Sequence, residues 1–196
     1  MEYQGKFQGK NAKFKVTSVA GHVFSIDFHG RFNNWSACEP VELFDAETTK
    51  QEANPKTHIV KHLANEAKDA DILVLWLDCD REGENICYEV IQCTQVKMKN
   101  KSKSAIFRAK FSAITTQDIK KAMNSLMYPN ENEAKAVDVR QELDLKIGCA
   151  FTRFQTRFFQ GKYANLDSNL ISFGPCQTPT LALCVKRHDD IVYLLS

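Results

Sequence analysis

The sequence predicts an α/β fold: a Rossmann-like parallel sheet sandwiched by helices, followed by a mainly helical segment. Three observations carry this reading. Ile72-Leu73-Val74-Leu75-Trp76-Leu77 is continuously apolar and is entered from a helical pattern, as expected of a central parallel strand buried on both faces. Helical and extended patterns alternate between residues 54 and 111, which is how strands joined by crossover helices read. Beyond residue 114 the patterns are almost all helical.

Each element has its own cue. Residues 3–28 read as extended, because Lys13-Phe14-Lys15-Val16 and Val23-Phe24-Ser25-Ile26-Asp27-Phe28 alternate and Gly9-Lys10-Asn11 supplies a turn. Residues 29–53 lack a period and read as a long loop pinned by Phe32, Trp35, Leu43 and Phe44. Asn54 as cap and Pro55 in the first turn open a helix whose apolar positions are Ile59, Val60, Leu63, Ala64 and Ala67. Gly83 follows the apolar strand, residues 84–92 read as helix, and residues 105–111 read as another strand. Between them Lys97, Lys99, Lys101 and Lys103 mark a solvated loop. Thr115 or Thr116 caps a helix through residue 127, and Tyr128-Pro129-Asn130 ends it. Residues 132–160 form a long helix with an interruption expected at Gly148, residues 161–175 are loop-like, and residues 177–188 begin another helix. The boundary between an α/β domain, 1–114, and a helical domain, 115–196, is placed near residue 114.

Composition narrows the function classes. The chain has 196 residues, 43% of them apolar, enough for a sizeable core. With 26 basic and 24 acidic residues the net charge is only +2, so a nucleic-acid surface must be a local patch. The seven cysteines show no C-x-x-C spacing and read as free thiols, not zinc ligands or disulfides. The longest apolar run, residues 72–77, is far too short to span a membrane. The first six residues lack the apolar core of a secretory signal.

The chemistry concentrates in Asp78-Cys79-Asp80-Arg81-Glu82, at the carboxyl end of the apolar strand, where α/β sheets gather functional groups. On a turn into a helix, Asp78, Asp80 and Glu82 are expected to converge. Three close carboxylates repel, and a hard divalent cation such as Mg2+ offsets the repulsion through oxygen ligands. A solvated acidic loop capping the next helix uses the same residue types. Arg81, Gly83 and Glu84 sharpen the pattern beyond a generic loop.

Residues 75–86, with Asp78, Asp80, Glu82, Gly83 and Glu84 in place, resemble the D-x-D-x-E-G-E motif of the Toprim domain in type IA DNA topoisomerases. Four further segments resemble that family in order: Gly21-His22-Val23; residues 107–115; the helix with Arg140, Gln141, Asp144 and Gly148; and Ser172-Phe173-Gly174-Pro175-Cys176-Gln177-Thr178-Pro179-Thr180-Leu181. The resemblance covers nearly the whole chain and is strongest to the eukaryotic topoisomerase III branch. Pro175-Cys176 stands where much of the family has Arg and an apolar residue, a departure shared with the beta form of that branch.

The resemblance implies an enzyme that cuts one DNA strand through a phosphotyrosine, passes another strand and reseals the cut, relaxing negative supercoils. It implies Mg2+ at Asp78, Asp80 and Glu82, with Glu82 and Arg81 in supporting catalytic roles, and no nucleotide cofactor. It implies single-stranded DNA contacts at His22, Arg140, Gln141, Asp144, Ser172, Gly174 and Gln177. RNA is a second candidate substrate. The rest of a topoisomerase chain is the implied partner, and the nucleus, with the cytoplasm as a second place, the implied location. Two family parts are expected to be missing: the glutamate of a V-A-E-K-P-S-like first strand and the tyrosine of a Tyr-Pro-Arg segment. Tyr128 precedes a proline, but Asn130 follows, and it reads as a turn residue. The isolated chain is therefore expected to be inactive.

Two readings of the residues themselves complete the picture. Arg140 and Asp144, four apart, share a helix face and can pair. Arg153 and Arg157 share another and, interleaved with Phe151, Phe154, Phe158, Phe159 and Tyr163, suit single strands. Phenylalanines at helical spacing read as core, which leaves the arginines to meet phosphates. A different Toprim enzyme, such as a primase or nuclease, and a non-catalytic nucleic-acid-binding module are the alternatives.

Overall fold

The computed structural model describes residues 1–163 and 167–195. The chain forms two compact units, one of Met1–Ser25 with Lys50–Asp138 and one of Ile26–Thr49 with Val139–Ser196.

The first unit opens with a hairpin of β1 (Glu2–Phe7) and β2 (Lys10–Lys15). Its turn is Gln8-Gly9, both at positive φ, and not the expected Gly9-Lys10-Asn11. A two-residue loop with both residues left-handed matches the twist of the strands it joins. Tyr3 stacks on Phe14 across the ladder, at 4.8 Å between ring centroids.

A βαβ unit follows. Helix α1 (Ile59–Glu66) leads into β5 (Leu73–Leu75), α2 (Arg81–Thr94) crosses over, and β6 (Ile106–Arg108) pairs parallel to β5. Leu73 faces Ile106, and Leu75 faces Arg108. Val23, Leu63, Leu75, Cys87, Val90, Cys93 and Ile106 form the core of this unit. The α/β class and the parallel pair are as the sequence predicts. Both strands are shorter than expected, since residues 76–77 and 109–111 leave the ladder. Thr115 caps α3 (Thr116–Asn124) through a 3.1 Å bond from Asp118 N to its Oγ1. Met127 then bridges back to Arg108.

Between β3 (Phe24–Phe28) and its partner β4 (Thr48–Glu52) lie two short 3-10 turns. Strand β4 corrects the reading of 29–53 as loop. Its Thr-Thr-Lys-Gln-Glu sequence has no apolar alternation, because none of its residues is fully buried.

In the second unit, Phe28, Phe32, Cys38, Leu43 and Ala46 pack with Leu145, Cys149 and Ala150 of α4 (Glu131–Phe159). Phe32 and Leu43 are the anchors predicted for this segment. Helix α4 runs through Gly148 without a break, and a side chain there would meet the Phe173 carbonyl at an ordinary contact distance of 3.5 Å, so the expected interruption does not occur. Helix α5 (Gln177–Leu195) runs beyond the expected residue 188. The cysteines are free, and burial pushes the Cys87 thiol to about 12 and the Cys93 thiol to about 11. Among the described residues, no helix is long and apolar enough to cross a membrane.

The turn from β5 into α2 closes only because residue 83 has no side chain. A Cβ on Gly83 would lie 1.9 Å from the Asp78 carbonyl oxygen. We expect Gly83→Ala to cost about 3 kcal/mol in urea unfolding, the upper range of overpacking. An unchanged midpoint would show that the turn is not held this tightly.

Candidate metal and nucleic-acid site

The acidic turn rests on a buried ion pair. Arg108 of β6 donates from Nε to Glu84 Oε1 at 3.0 Å, and both side chains are fully buried. The guanidinium also bonds the carbonyls of Leu75 at 3.3 Å, Ala109 at 2.8 Å and Asp78 at 2.5 Å. The second Glu84 oxygen accepts from Asn130 N at 2.9 Å, and Lys110 Nζ lies 3.5 Å from the first. Buried charges are tolerated when paired and surrounded by further bonds. Here those bonds reach the backbone of Asp78 itself.

The three expected cation ligands do not converge. Among the described residues, no three His, Cys, Asp or Glu side chains are grouped to hold a metal ion. Asp78 and Asp80 are exposed. Asp80 caps α2, its Oδ1 accepting from Gly83 N at 2.8 Å, so the helix-capping role of the acidic turn is realised. Glu82 turns to His22, whose Nε2 lies 3.1 Å from its carboxylate. The other ring nitrogen of His22 lies 3.2 Å from Glu89 Oε1, and the second Glu89 oxygen accepts from Val23 N at 2.7 Å. Glu89 is almost fully buried. Arg81 is exposed at the first position of α2. The donor chemistry of Asp78 and Asp80 suits a hard cation, which needs only one or two carboxylates when waters and phosphates complete its shell. A third direct ligand from Glu82 is not offered in this arrangement.

Sequence reasoning passed over Glu89, Arg108, Asn85 and Asp138. Asn85 is buried and donates to the Ala134 carbonyl at 2.9 Å and to Asp138 at 3.0 Å. Lys50 pairs with the same Asp138 oxygen at 2.8 Å. Burial would raise the Asp138 carboxyl, but the bonds from Lys50 and Asn85 outweigh it and hold the group below its ordinary range. One signal was available: Glu82 and Glu89 are seven apart and so share a helix face.

In the second unit, Arg140 and Asp144 pair at 2.9 Å, as the spacing predicts. Gln141, on the same helix, is half-buried. Arg153 is a correction. It is only 5% exposed, and its guanidinium lies over the Trp35 ring at 5.4 Å. Arg157 leans on Glu39 at 3.4 Å. The phenylalanines expected in the core are outside: Phe151, Phe154 and Phe158 are 44%, 57% and 48% exposed. The inward stripe of α4 is instead Leu145, Cys149, Ala150, Arg153 and Thr156. Thr152 and Thr156 add hydroxyl acceptors for Phe173 N at 2.8 Å and Ile171 N at 3.0 Å. These bonds hold the irregular segment that carries Ser172, which is exposed. Gly174 accepts from Gln177 N at 3.0 Å, and its missing side chain leaves room for that of Gln177, 3.1 Å from where a Cβ would stand. Tyr128 stacks on Phe107 at 5.8 Å in the turn after α3, as a turn residue would.

Comparison with known proteins adds two family matches. Residues 6–114 match a family described as Toprim domain, and residues 128–193 match one described as DNA topoisomerase. Among relatives, DNA topoisomerase 3-beta of Oryza sativa subsp. japonica is 60% identical over 190 residues, covering 97% of this chain and 22% of the relative. DNA topoisomerase 3-beta-1 of Homo sapiens is 58% identical over 194 residues, again 97% of the chain and 22% of the relative. DNA topoisomerase 3-alpha of Homo sapiens is 42% identical, covering 97% and 19%. The chain thus spans about a fifth of the length of these relatives.

Two outcomes follow from these pairs, one fully buried and one partly exposed. Glu84→Ala leaves the Arg108 charge uncompensated and should cost about 3–5 kcal/mol in chemical denaturation. Stability near wild type would mean that water reaches the guanidinium. Asp138 has a depressed folded pKa, so its contribution is present above the ordinary carboxylate range and lost as pH falls through the folded value. Asp138→Asn should therefore destabilise at pH 7, with the gap to wild type shrinking on acidification; a gap that widened in acid would reverse the sign of that linkage.

Proposed function

The chain belongs to the Toprim domain family, and we propose from that premise that it carries the metal-binding and first DNA-gripping parts of a type IA DNA topoisomerase of the topoisomerase 3-beta kind. The activity proposed for the whole protein is transient cleavage and rejoining of one DNA strand, with strand passage and relaxation of negative supercoils. The observation that carries the reading is the exposed Asp78-Cys79-Asp80 turn, held by the buried Glu84–Arg108 pair, in a chain that continues into the topoisomerase match at 128–193. The Toprim domain is generally a divalent-metal-binding domain. We assign residues 1–114 to it and residues 115–196 to the start of the helical DNA-gripping domain.

In this reading Asp78 and Asp80 hold Mg2+, with Glu82 beside them. The bound cation would orient a phosphate and stabilise charge on a leaving oxygen. Arg81, exposed at the amino end of a 14-residue helix, adds a guanidinium where the helix dipole already favours anions. Its role is to bind and orient the phosphate. His22 holds Glu82 in place. On the second unit, the Arg140–Asp144 pair presents a guanidinium oriented by its partner, with Gln141 beside it on the helix. Ser172, Gly174 and Gln177 offer hydroxyl, backbone and amide groups to the strand. Arg157 joins them by exchanging Glu39 for phosphate. No nucleotide cofactor is required, since bond energy is kept in the phosphotyrosine. The nucleus is the proposed location, and DNA the proposed substrate, with RNA as a second.

A second reading, single-strand binding by this chain without catalysis, is favoured by one observation. Phe154 and Phe158 are exposed and stacked at 6.1 Å, and Lys162 Nζ lies 3.3 Å over the Phe158 ring. Exposed aromatics beside a cation suit unstacked bases.

Two assays test these readings. With negatively supercoiled plasmid and Mg2+, this chain alone should not relax DNA, because its sequence holds no Tyr-Pro-Arg segment. Relaxation lost in Asp78→Ala would reverse that expectation. A single-stranded oligonucleotide should bind with an affinity that falls steeply with salt, and Arg140→Ala should weaken it. Salt-independent binding would count against phosphate contacts.

A further inference from the structure

The site contains a chain of contacts that neither the family match nor the acidic motif accounts for. It runs from Val23 N to Glu89, from Glu89 to His22, and from His22 to Glu82, at 2.7, 3.2 and 3.1 Å. Exposure falls along it: the Glu82 side chain is 41% exposed, His22 29% and Glu89 4%. Glu89 is therefore the fixed end. One of its oxygens is held by a backbone N–H, which leaves the other for the imidazole. A buried carboxylate in such a place costs desolvation unless it is bonded, and both of its oxygens are. The ring of His22, held at one nitrogen, presents the other to Glu82.

We propose that Glu89 is a positioning residue which, through His22, claims the carboxylate of Glu82 and keeps it out of the cation's coordination. The cation then rests on Asp78 and Asp80 alone among these three acids. The proposal builds on the metal-site reading above and goes beyond it by assigning Glu82 a competing partner. Its geometric support is independent of any bound ion: Glu82 faces His22, and no three potential ligands are grouped among the described residues. Groups behind a metal ligand that orient it commonly change affinity by about 10–100-fold when removed. Here the sign is opposite, because the group behind Glu82 draws it away from the ion.

The test uses this chain at a single pH, with Mn2+ as the probe and free Mn2+ read by electron paramagnetic resonance. Asp78→Asn and Asp80→Asn should each weaken binding strongly, and Glu82→Gln should weaken it far less, by the loss of a nearby charge alone. His22→Ala should tighten binding about tenfold by releasing Glu82, at the low end of such effects. His22→Ala combined with Glu82→Gln should show no gain over Glu82→Gln alone. Damage to the fold lowers affinity, so a gain that depends on Glu82 cannot come from structural disruption. Glu89→Gln keeps an oxygen for the Val23 N–H and should tighten binding in the same direction. If that variant does not fold, the two His22 variants decide alone, since His22 is part-exposed. The proposal is overturned if Glu82→Gln weakens binding as much as Asp78→Asn does, or if His22→Ala leaves affinity where it was. Should the wild-type chain bind no Mn2+, the metal-site reading fails, and the relay is judged by the 15N signals of the His22 ring. Shifts in Glu82→Gln and in Glu89→Gln would support the relay; an unmoved ring in both would overturn it.

Discussion

The Glu84–Arg108 ion pair is the interaction on which the rest of the first unit depends. It joins the crossover helix α2 to strand β6 in a place that water does not reach. An unpaired charge there would be prohibitive, so the two side chains must be bonded at nearly every polar atom. The partners recruited for this purpose define the local architecture. Leu75 offers a carbonyl from β5 and Ala109 one from just beyond β6, and Asn130 offers its N–H from the turn before α4. The Asp78 carbonyl completes the set and ties the acidic turn to the core. A packed apolar contact could join the helix to the strand as firmly, but it could not set the direction of a backbone carbonyl. The polar solution therefore transmits orientation from the core to an exposed turn.

Helix α2 shows how much a single turn of helix can carry. At about 100° per residue, Glu82 and Glu89 fall about 20° apart, whereas Glu84 lies about 200° from Glu82. The first pair faces His22 and Val23, and Glu84 faces Arg108. Asn85, a further step round, reaches Ala134 and Asp138 of α4. Gly83, between these directions, is pressed against the Asp78 backbone. Each residue of the segment from 82 to 85 thus has a different neighbour, and none of the four positions can be exchanged for another. The apolar face of the same helix, with Cys87, Val90 and Cys93, begins only after this turn.

Much of this was legible in the sequence, and the exceptions have a common cause. The apolar run at 72–77, the glycine at 83 and the helical spacing of Ile59, Val60 and Leu63 gave the α/β order, because period and punctuation are local properties; Asn54 and Pro55 open a separate 3-10 turn at residues 55–57, and α1 begins only after left-handed His58. Arg140 and Asp144 were legible for the same reason. What was missed depends on which neighbour a side chain meets. Strand β4 is polar throughout, so its pairing with β3 leaves no apolar alternation. Arg153 carries the residue type of a phosphate ligand but lies buried over the Trp35 face, inside the second unit. The three carboxylates of the acidic turn were expected to point one way because they are close in sequence. Two helical constraints separate them: Asp80 caps the first turn, and Glu82 lies inside it and faces His22.

That separation bears on how such a site can work. A cluster of three carboxylates with no cation must hold its own repulsion, which destabilises the turn that carries it. Dividing the acids relieves this. Asp80 spends one oxygen on the helix amino terminus, where negative charge is favourable. Glu82 is matched by an imidazole that is itself anchored through buried Glu89. Asp78 remains exposed, and the backbone carbonyl behind it is fixed by Arg108. The turn is tied to the core through the Asp78 carbonyl, while the carboxylates of Asp78 and Asp80 stay at the surface. The bonds beneath the turn fix its backbone, and the exposed carboxylate oxygens keep their access to solvent.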